Sequence, residues 1–289
     1  MGGTYVVGDI HGCYDEWMEL KNKIEAEDPE AQFILVGDII DRGPKTMNMI
    51  RWAMENITAD GKYQMVLGNH EYEKINWWRA YKAERDSLIE ETGNSECTID
   101  YRDYNPDRYD FSSVMSRYGL GDTEVEAIID FFKSLPLYKD LKVESEFQQR
   151  GKKHYVVVHA FYPVHCRNKD ESFRKSSLKL PKNATKKQLY EHSKSIKDIV
   201  WYRNYVGYRD LKNTVVVHGH TPTIMGELLD VQTWVKSGEI AVSVFDINVD
   251  CGCVYYDCPA RNLAAIRLED LQSYYVYEKE ILKESEDWE

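Results

Sequence analysis

Five short apolar runs in this chain each end in glycine, aspartate, asparagine or histidine, and this recurrence constrains the fold more than any other feature. Tyr5-Val6-Val7 leads into Gly8-Asp9-Ile10-His11-Gly12, and Phe33-Ile34-Leu35-Val36 into Gly37-Asp38-Ile39-Ile40-Asp41-Arg42-Gly43. Gln64-Met65-Val66-Leu67 leads into Gly68-Asn69-His70-Glu71, Val156-Val157-Val158 into His159-Ala160, and Val215-Val216-Val217 into the Gly219-His220-Thr221 block. Runs this short and apolar read as buried strands, and α/β folds assemble their sites beyond strand ends. Turn chemistry alone accounts for one Gly-Asp or Gly-Asn pair, but not for an ordered set of five. The pattern points to side chains gathered at one edge.

The residues between these runs supply helices. Tyr14 to Glu27 carries Trp17, Leu20 and Ile24 on one face, and a helix after Pro44 places Met47, Ile50, Met54 and Ile57 on its buried side. A strand over Tyr63–Leu67 precedes a helix beginning near His70, so the first third reads β-α-β-α-β, the pattern of a mainly parallel sheet with helices outside. A polar, aromatic stretch from about Gly93 to Asp122 reads as irregular. A helix resumes at Thr123, with Thr123 and Glu126 as a capping box, Val125, Ile128, Ile129 and Phe132 inside, and Pro136 closing it. Strands are predicted near Leu141–Phe147 and His154–His159. A basic irregular region follows from about Tyr162 to Lys197, and strands return at Val242–Asn248, Leu263–Leu268 and Ser273–Glu278. The expected architecture is an α/β, four-layer α-β-β-α sandwich of two mixed sheets flanked by helices. It forms one domain over residues 1–289, with rim insertions near 93–122 and 162–197.

Asp, His and Asn side chains are the oxygen and nitrogen donors that hard and borderline divalent metals take. Asp9 and His11, two residues apart, can face the same way from an extended segment. Asp38 has two oxygens with which to bridge two ions, and Asn69, His159 and His220 can complete a second shell. Two ions ~3.5–4 Å apart would polarise a phosphoryl oxygen and hold a hydroxide between them. Two such ions bring four positive charges. Asp9, Asp38 and the hydroxide remove three, and Arg42 and Arg203 add two, so the site attracts a phosphate dianion although the whole chain carries −12.

Taken in order, Gly-Asp-x-His-Gly, Gly-Asp-x-x-Asp-Arg-Gly and Gly-Asn-His-Glu resemble the motifs of the calcineurin-like metallophosphoesterases, closest to the bacterial and phage branch of the phosphoprotein phosphatases. The resemblance runs from Gly8 to Asn248-Val249-Asp250-Cys251-Gly252. It implies that Asp9, His11 and Asp38 hold one ion and that Asp38, Asn69, His159 and His220 hold another. It makes His70 the general acid with Asp41 as its orienting partner. Arg42, Asn69 and Arg203 become the phosphate-binding residues, Arg203 coming from Trp201-Tyr202-Arg203. The cofactors implied are two divalent ions, manganese foremost, with iron, zinc, nickel or cobalt as alternatives. The chain departs from the family at Asp250-Cys251-Gly252, where Asp-Thr-Gly is usual, and at His218, an extra imidazole two residues before His220. The Gly-His-Thr motif selects His220 and leaves His218 at the end of the strand.

The implied activity is hydrolysis of phosphate monoesters, with phosphoserine or phosphothreonine on proteins as the leading substrate and phosphotyrosine also admitted. A dinucleoside polyphosphate hydrolase acting on diadenosine tetraphosphate is the alternative, and an inactive scaffold that binds phosphorylated partners is the third reading. The expected partner is a phosphorylated protein, peptide, small molecule or nucleotide. Forty-nine acidic against 37 basic residues argue against DNA, RNA or an anionic membrane. No apolar stretch approaches the ~20 residues of a membrane span, and Met-Gly-Gly-Thr-Tyr runs straight into a strand with no room for a signal peptide, so a cytoplasmic location is expected. The six cysteines, Cys13, Cys97, Cys166, Cys251, Cys253 and Cys258, then read as reduced thiols. Cys251, Cys253 and Cys258 lack paired Cys-x-x-Cys spacing and are expected to be small buried residues on a strand.

Overall fold

The computed structural model describes residues 2–93, 110–144, 153–162, 196–203, 214–225 and 237–277. Along the chain run β1 (Thr4–Val7), α1 (Tyr14–Glu27), β2 (Gln32–Leu35), α2 (Thr46–Asn56), β3 (Tyr63–Met65), α3 (Asn69–Thr92), α4 (Phe111–Arg117), α5 (Asp122–Ser134), β4 (Tyr138–Val143), β5 (Lys153–Val158), β6 (Thr214–His218), β7 (Ala241–Val242), β8 (Asp246–Asn248), β9 (Ala264–Arg267) and β10 (Ser273–Tyr275). The strands form two five-stranded sheets, ordered β10-β9-β1-β2-β3 and β4-β5-β6-β8-β7. β1, β2 and β3 are parallel, with Val6 opposite Ile34 and Leu35 opposite Met65, while β9 and β10 run antiparallel. In the second sheet β5, β6 and β8 are parallel and β4 and β7 close its edges antiparallel. Both sheets are mixed, as expected.

Strand alternation sorts the core into two layers. Val6, Ile34, Tyr155, Val157, Val215, Val217 and Ile247 meet between the sheets. Tyr5, Val7, Phe33 and Leu35 point the other way, to Trp17, Leu20 and Ile24 of α1 and to the buried side of α2. Trp17 packs edge-on against Phe33, Trp52 and Tyr63 at centroid distances of 5.8, 4.9 and 6.4 Å. The α1 face is as predicted. On α2, Met54 is 39 % exposed and Met49 and Trp52 are buried instead, because α2 also packs against α4 and α5.

Several local expectations are corrected. The stretch read as irregular from Gly93 contains α4, seated by Asp110, whose Oδ1 accepts from Ser112 N at 2.9 Å, and by buried Phe111, Val114 and Met115. Seven residues are too few for periodicity to announce a helix. Helix α5 is capped two residues earlier than expected, by Gly121 N donating to Glu124 Oε2 at 2.9 Å. β4 begins at Tyr138, and the predicted single strand Val242–Asn248 is the antiparallel pair β7 and β8. The connection turns on Ser243, whose Oγ accepts from Phe245 N and Asp246 N. Cys253 lies in a turn and Cys251 and Cys258 in irregular backbone, none on a strand, and Cys258 is half-buried rather than buried. The basic residues expected at the second rim, and Cys97 and Cys166, lie outside the described residues.

Candidate metal centre

The five apolar runs end at one place. β1, β2 and β3 deliver Asp9, Asp38 and Asn69 from one sheet, and β5 and β6 deliver His159 and His220 from the other. The loops are stitched together by backbone: His11 N donates to Asp38 O at 2.8 Å and Gly219 N to His159 O at 2.9 Å. A Cβ on Gly219 would collide with Asp9 Oδ1, so only glycine admits this approach. His11, Asp38, Asp41, Arg42 and His220 all have positive φ, between 46° and 67°. Non-glycine residues in this conformation store of order 1 kcal/mol each, and here they are concentrated on the gathered side chains.

Asp38 is the centre of the arrangement. Its Oδ2 lies 3.4 Å from His159 Nε2, 3.7 Å from His11 Nε2 and 3.9 Å from His70 Nε2. Two groups of donors each fall within 4.8 Å of one another, His11-Asp38-His70 and Asp38-His159-His220, and Asp38 belongs to both. Asn69 Oδ1 reaches His159 Nε2 at 2.9 Å and His220 Nδ1 at 2.8 Å. Asp9 is buried beside them and accepts His220 N on Oδ2 at 3.0 Å, although it is not a member of either three-donor group.

The imidazoles are oriented from behind. His11 Nδ1 donates to Ile40 O at 2.8 Å and His159 Nδ1 to Val36 O at 2.9 Å, which turns each Nε2 toward Asp38. His220 Nε2 lies 3.2 Å from Trp201 O, leaving Nδ1 to face inward. His218, at the end of β6, points away from this cluster, with Nε2 3.5 Å from Asp246 Oδ2. The selection of His220 over His218 follows from the chain leaving the strand at Gly219 and turning left-handed at His220.

His70, at the start of α3, donates Nδ1–H to Asp41 Oδ2 at 2.6 Å. Asp41 also takes Lys74 Nζ at 3.1 Å and Phe111 N at 2.8 Å, and Lys74 is shared with Asp110 at 2.6 Å. Arg42 is exposed and spans the cluster, with Nη1 3.0 Å from His11 Nε2 and Nη2 3.1 Å from His70 Nε2. Arg203, also exposed, sets Nε 3.2 Å from His220 Nε2. Two guanidinium groups therefore stand at the mouth of a buried acidic and imidazole cluster.

Sequence reasoning gave Glu71 no role. It is fully buried, and its carboxylate accepts Asp38 N and Ile39 N at 2.9 Å and Gly68 N at 3.1 Å, fixing the loop that carries Asp38. Its only signal was its place in Gly-Asn-His-Glu. Lys74 and Asp110 gave none, since nothing in one sequence shows that they converge on Asp41.

Burial opposes charge throughout, and partners decide the outcome. Burial and then the charges of Asp250 and Asp38 push the Asp9 carboxyl well up. Burial alone would raise Asp38 too, but His159, His70 and His11 around it hold it well below the carboxylate range. Burial, then Asp38, lifts Glu71 to about 7, and burial lifts Asp250 to about 6. Burial and the His159 charge lower His220 to about 3. Burial also works against a charged His70, but Asp38 and Asp41 outweigh it and raise its pKa.

Residues 4–228 match the family model of the calcineurin-like phosphoesterases. The chain belongs to this family. Among its relatives, the symmetrical bis(5'-nucleosyl)-tetraphosphatase of Buchnera aphidicola is 34 % identical over 101 residues, 35 % of each chain, so the chain spans about a third of that relative's length. The asymmetrical bis(5'-nucleosyl)-tetraphosphatase PrpE of Oceanobacillus iheyensis is 24 % identical over 86 % of this chain and 84 % of its own. The crystal structure of a cold-active protein-tyrosine phosphatase from a psychrophilic Shewanella superposes with a TM-score of 0.51 at 15 % identity, covering 96 % of this chain and 81 % of that one. A candidate diadenosine tetraphosphatase does so with a TM-score of 0.51 at 15 % identity, over 96 % and 95 %. These two likenesses bear on the fold.

Metallophosphoesterases of this family generally use a dinuclear divalent centre, and the donor set here fits one. Oxygen and imidazole donors converge in two groups with one shared carboxylate, and the imidazoles of His11, His159 and His220 are each backed by a carbonyl, the arrangement that orients metal ligands. No helix among the described residues is long and apolar enough to cross a membrane.

Proposed function

We propose that this protein hydrolyses phosphate esters at a two-metal centre. The observation that carries the reading is Asp38, shared by two donor groups, one of which contains His70, itself hydrogen-bonded to Asp41. Asp9, His11 and Asp38 would hold one ion, and Asp38, Asn69, His159 and His220 the other. When bound, two divalent ions, manganese being the pair we favour, polarise the phosphoryl group and generate a nucleophile from water.

The remaining work falls to the chain's own residues. Arg42 and Arg203 grip the non-bridging phosphoryl oxygens, where charge develops in the transition state, and Asn69 adds its amide to the phosphate. His70 Nε2 gives a proton to the leaving oxygen. Asp41 holds the ring by Nδ1–H and favours the charged imidazole. Glu71 keeps the Asp38 loop in its left-handed conformation.

For the substrate we favour phosphoserine and phosphothreonine on proteins, which the motifs of the first three blocks support. Diadenosine tetraphosphate is the second reading, supported by the names of the Buchnera and Oceanobacillus relatives. The two are separated by incubating manganese-loaded protein with a phosphopeptide and with diadenosine tetraphosphate. Faster release of inorganic phosphate from the peptide supports the first, and faster formation of ADP, or of ATP and AMP, the second. Turnover of neither, nor of an aryl phosphate, would refute the hydrolase itself.

A further inference from the structure

We propose that Cys13, Glu16 and Cys253 form a further cation site, chemically unlike the Asp-His-Asn centre, that takes a thiophilic divalent ion such as zinc or cadmium. Cys13 caps the first turn of α1, Glu16 lies one turn on, and Cys253 arrives from the far end of the sequence in the turn after Asp250. One sulfur from each cysteine and one carboxylate oxygen lie within 4.8 Å of one another. In a tetrahedral site with Zn–S ~2.3 Å, neighbouring donors are ~3.5–4 Å apart, so the three would close by roughly 1 Å or less onto an ion. Buried thiols usually pack as small apolar groups. What distinguishes this pair, 1 % and 2 % exposed, is the carboxylate turned in beside it.

The surroundings are fixed and polar. Tyr256 Oη lies 3.2 Å from Cys13 Sγ. Glu16 Oε1 accepts Tyr277 Oη at 3.0 Å and stands 3.6 Å from Arg261 Nη1. Arg261 donates to Cys253 O at 2.8 Å and stacks over Tyr256 and Tyr277. Charge also balances. Two thiolates and a carboxylate carry three negative charges, and Arg261 with a divalent ion carries three positive ones. Binding releases the two thiol protons to solvent and requires no oxidant. An ion held there would tie the start of α1, directly after His11, to the segment following Asp250.

The test uses manganese-loaded full-length protein with Cys97, Cys166 and Cys258 replaced by serine, titrated with cadmium. We expect one cadmium per chain, with a sulfur-to-cadmium charge-transfer absorption, while manganese content stays at two. Cys13→Ser and Cys253→Ser should each abolish the absorption and weaken cadmium binding about tenfold or more, and Glu16→Gln should weaken it while keeping the absorption. Cys253→Ser should leave basal hydrolysis unchanged, which shows that the variant folds. Asp38→Asn should keep the absorption even if hydrolysis is lost, separating this site from the catalytic reading. Absence of the absorption, its survival in Cys253→Ser, or a Cys13–Cys253 disulfide that forms in preference to cadmium binding would overturn the proposal.

Discussion

Replacing Asp41 by asparagine should shift the pH dependence of catalysis more than it damages the fold. The Asp41 carboxylate accepts from His70 Nδ1 at 2.6 Å and Lys74 Nζ at 3.1 Å on one oxygen and from Phe111 N at 2.8 Å on the other. Asparagine has one oxygen, and it will face the side with two donors. Its NH₂ then opposes Phe111 N, an unmade buried hydrogen bond that costs about 1–3 kcal/mol of stability. The His70 tautomer survives, but its bond becomes neutral. A charged partner is worth about 1.5–3 kcal/mol and a neutral one about 0.5–1.5, so roughly 1.4 kcal/mol of support for the imidazolium disappears, about one pKa unit. The proton-donating form of His70 is present below its raised pKa and lost above it. The basic limb of kcat/KM should therefore move down by about one pH unit, and activity above the wild-type limb should fall about tenfold for phenyl phosphate. A dinitrophenyl ester, whose leaving group scarcely needs a proton, should change little. An unmoved limb, or equal losses on both esters, would refute the assignment of Asp41 and His70.

Asp38→Asn should lower affinity for both divalent ions, by about a hundredfold or more, and elemental analysis finding two ions per chain with wild-type turnover would remove Asp38 from the bridging position. Trp17→Ala should cost about 3–5 kcal/mol in urea unfolding, because the indole is fully buried among Phe33, Trp52 and Tyr63; a loss below 1 kcal/mol would mean that α1 does not close this core. Burial raises Glu25, but Lys21 and Lys62, with Tyr63, outweigh it and lower its carboxyl to about 2. Its contribution, about 1 kcal/mol for such a partly exposed network, should be present above pH 4.5 and fade as pH falls toward 2. The stability gap between wild type and Glu25→Gln should therefore shrink between pH 5 and pH 3, and a gap that stays constant would contradict this.

Asp9, His11, Asp38, Asn69, His159 and His220 were legible because each closes an apolar run short enough to be a strand, and strand ends in α/β folds meet at an edge. The α1 face and the two sheets were legible for the same kind of reason: periods of 3.6 and 2 are written in the order of residues. Helix α4 and the break between β7 and β8 were not, since a seven-residue helix and a serine-centred turn depend on one or two local hydrogen bonds that no period reveals.

The order of residues along the chain sets the chemistry available to this protein: oxygen and nitrogen donors at five strand ends, two arginines, and one histidine placed after Asn69. How those groups act on each other follows from the packing of the two sheets. It made Asp38 the member common to both donor groups, put Glu71 under the loop that carries it, joined Lys74 and Asp110 to Asp41, turned His220 inward and His218 away, and brought Cys13 beside Cys253. Distance separates what the order of residues sets from what the packing decides. Each of these relations depends on atoms within a few ångströms whose residues are separated by many positions or by a left-handed turn, and such proximity is fixed by how two sheets pack, not by neighbours along the chain.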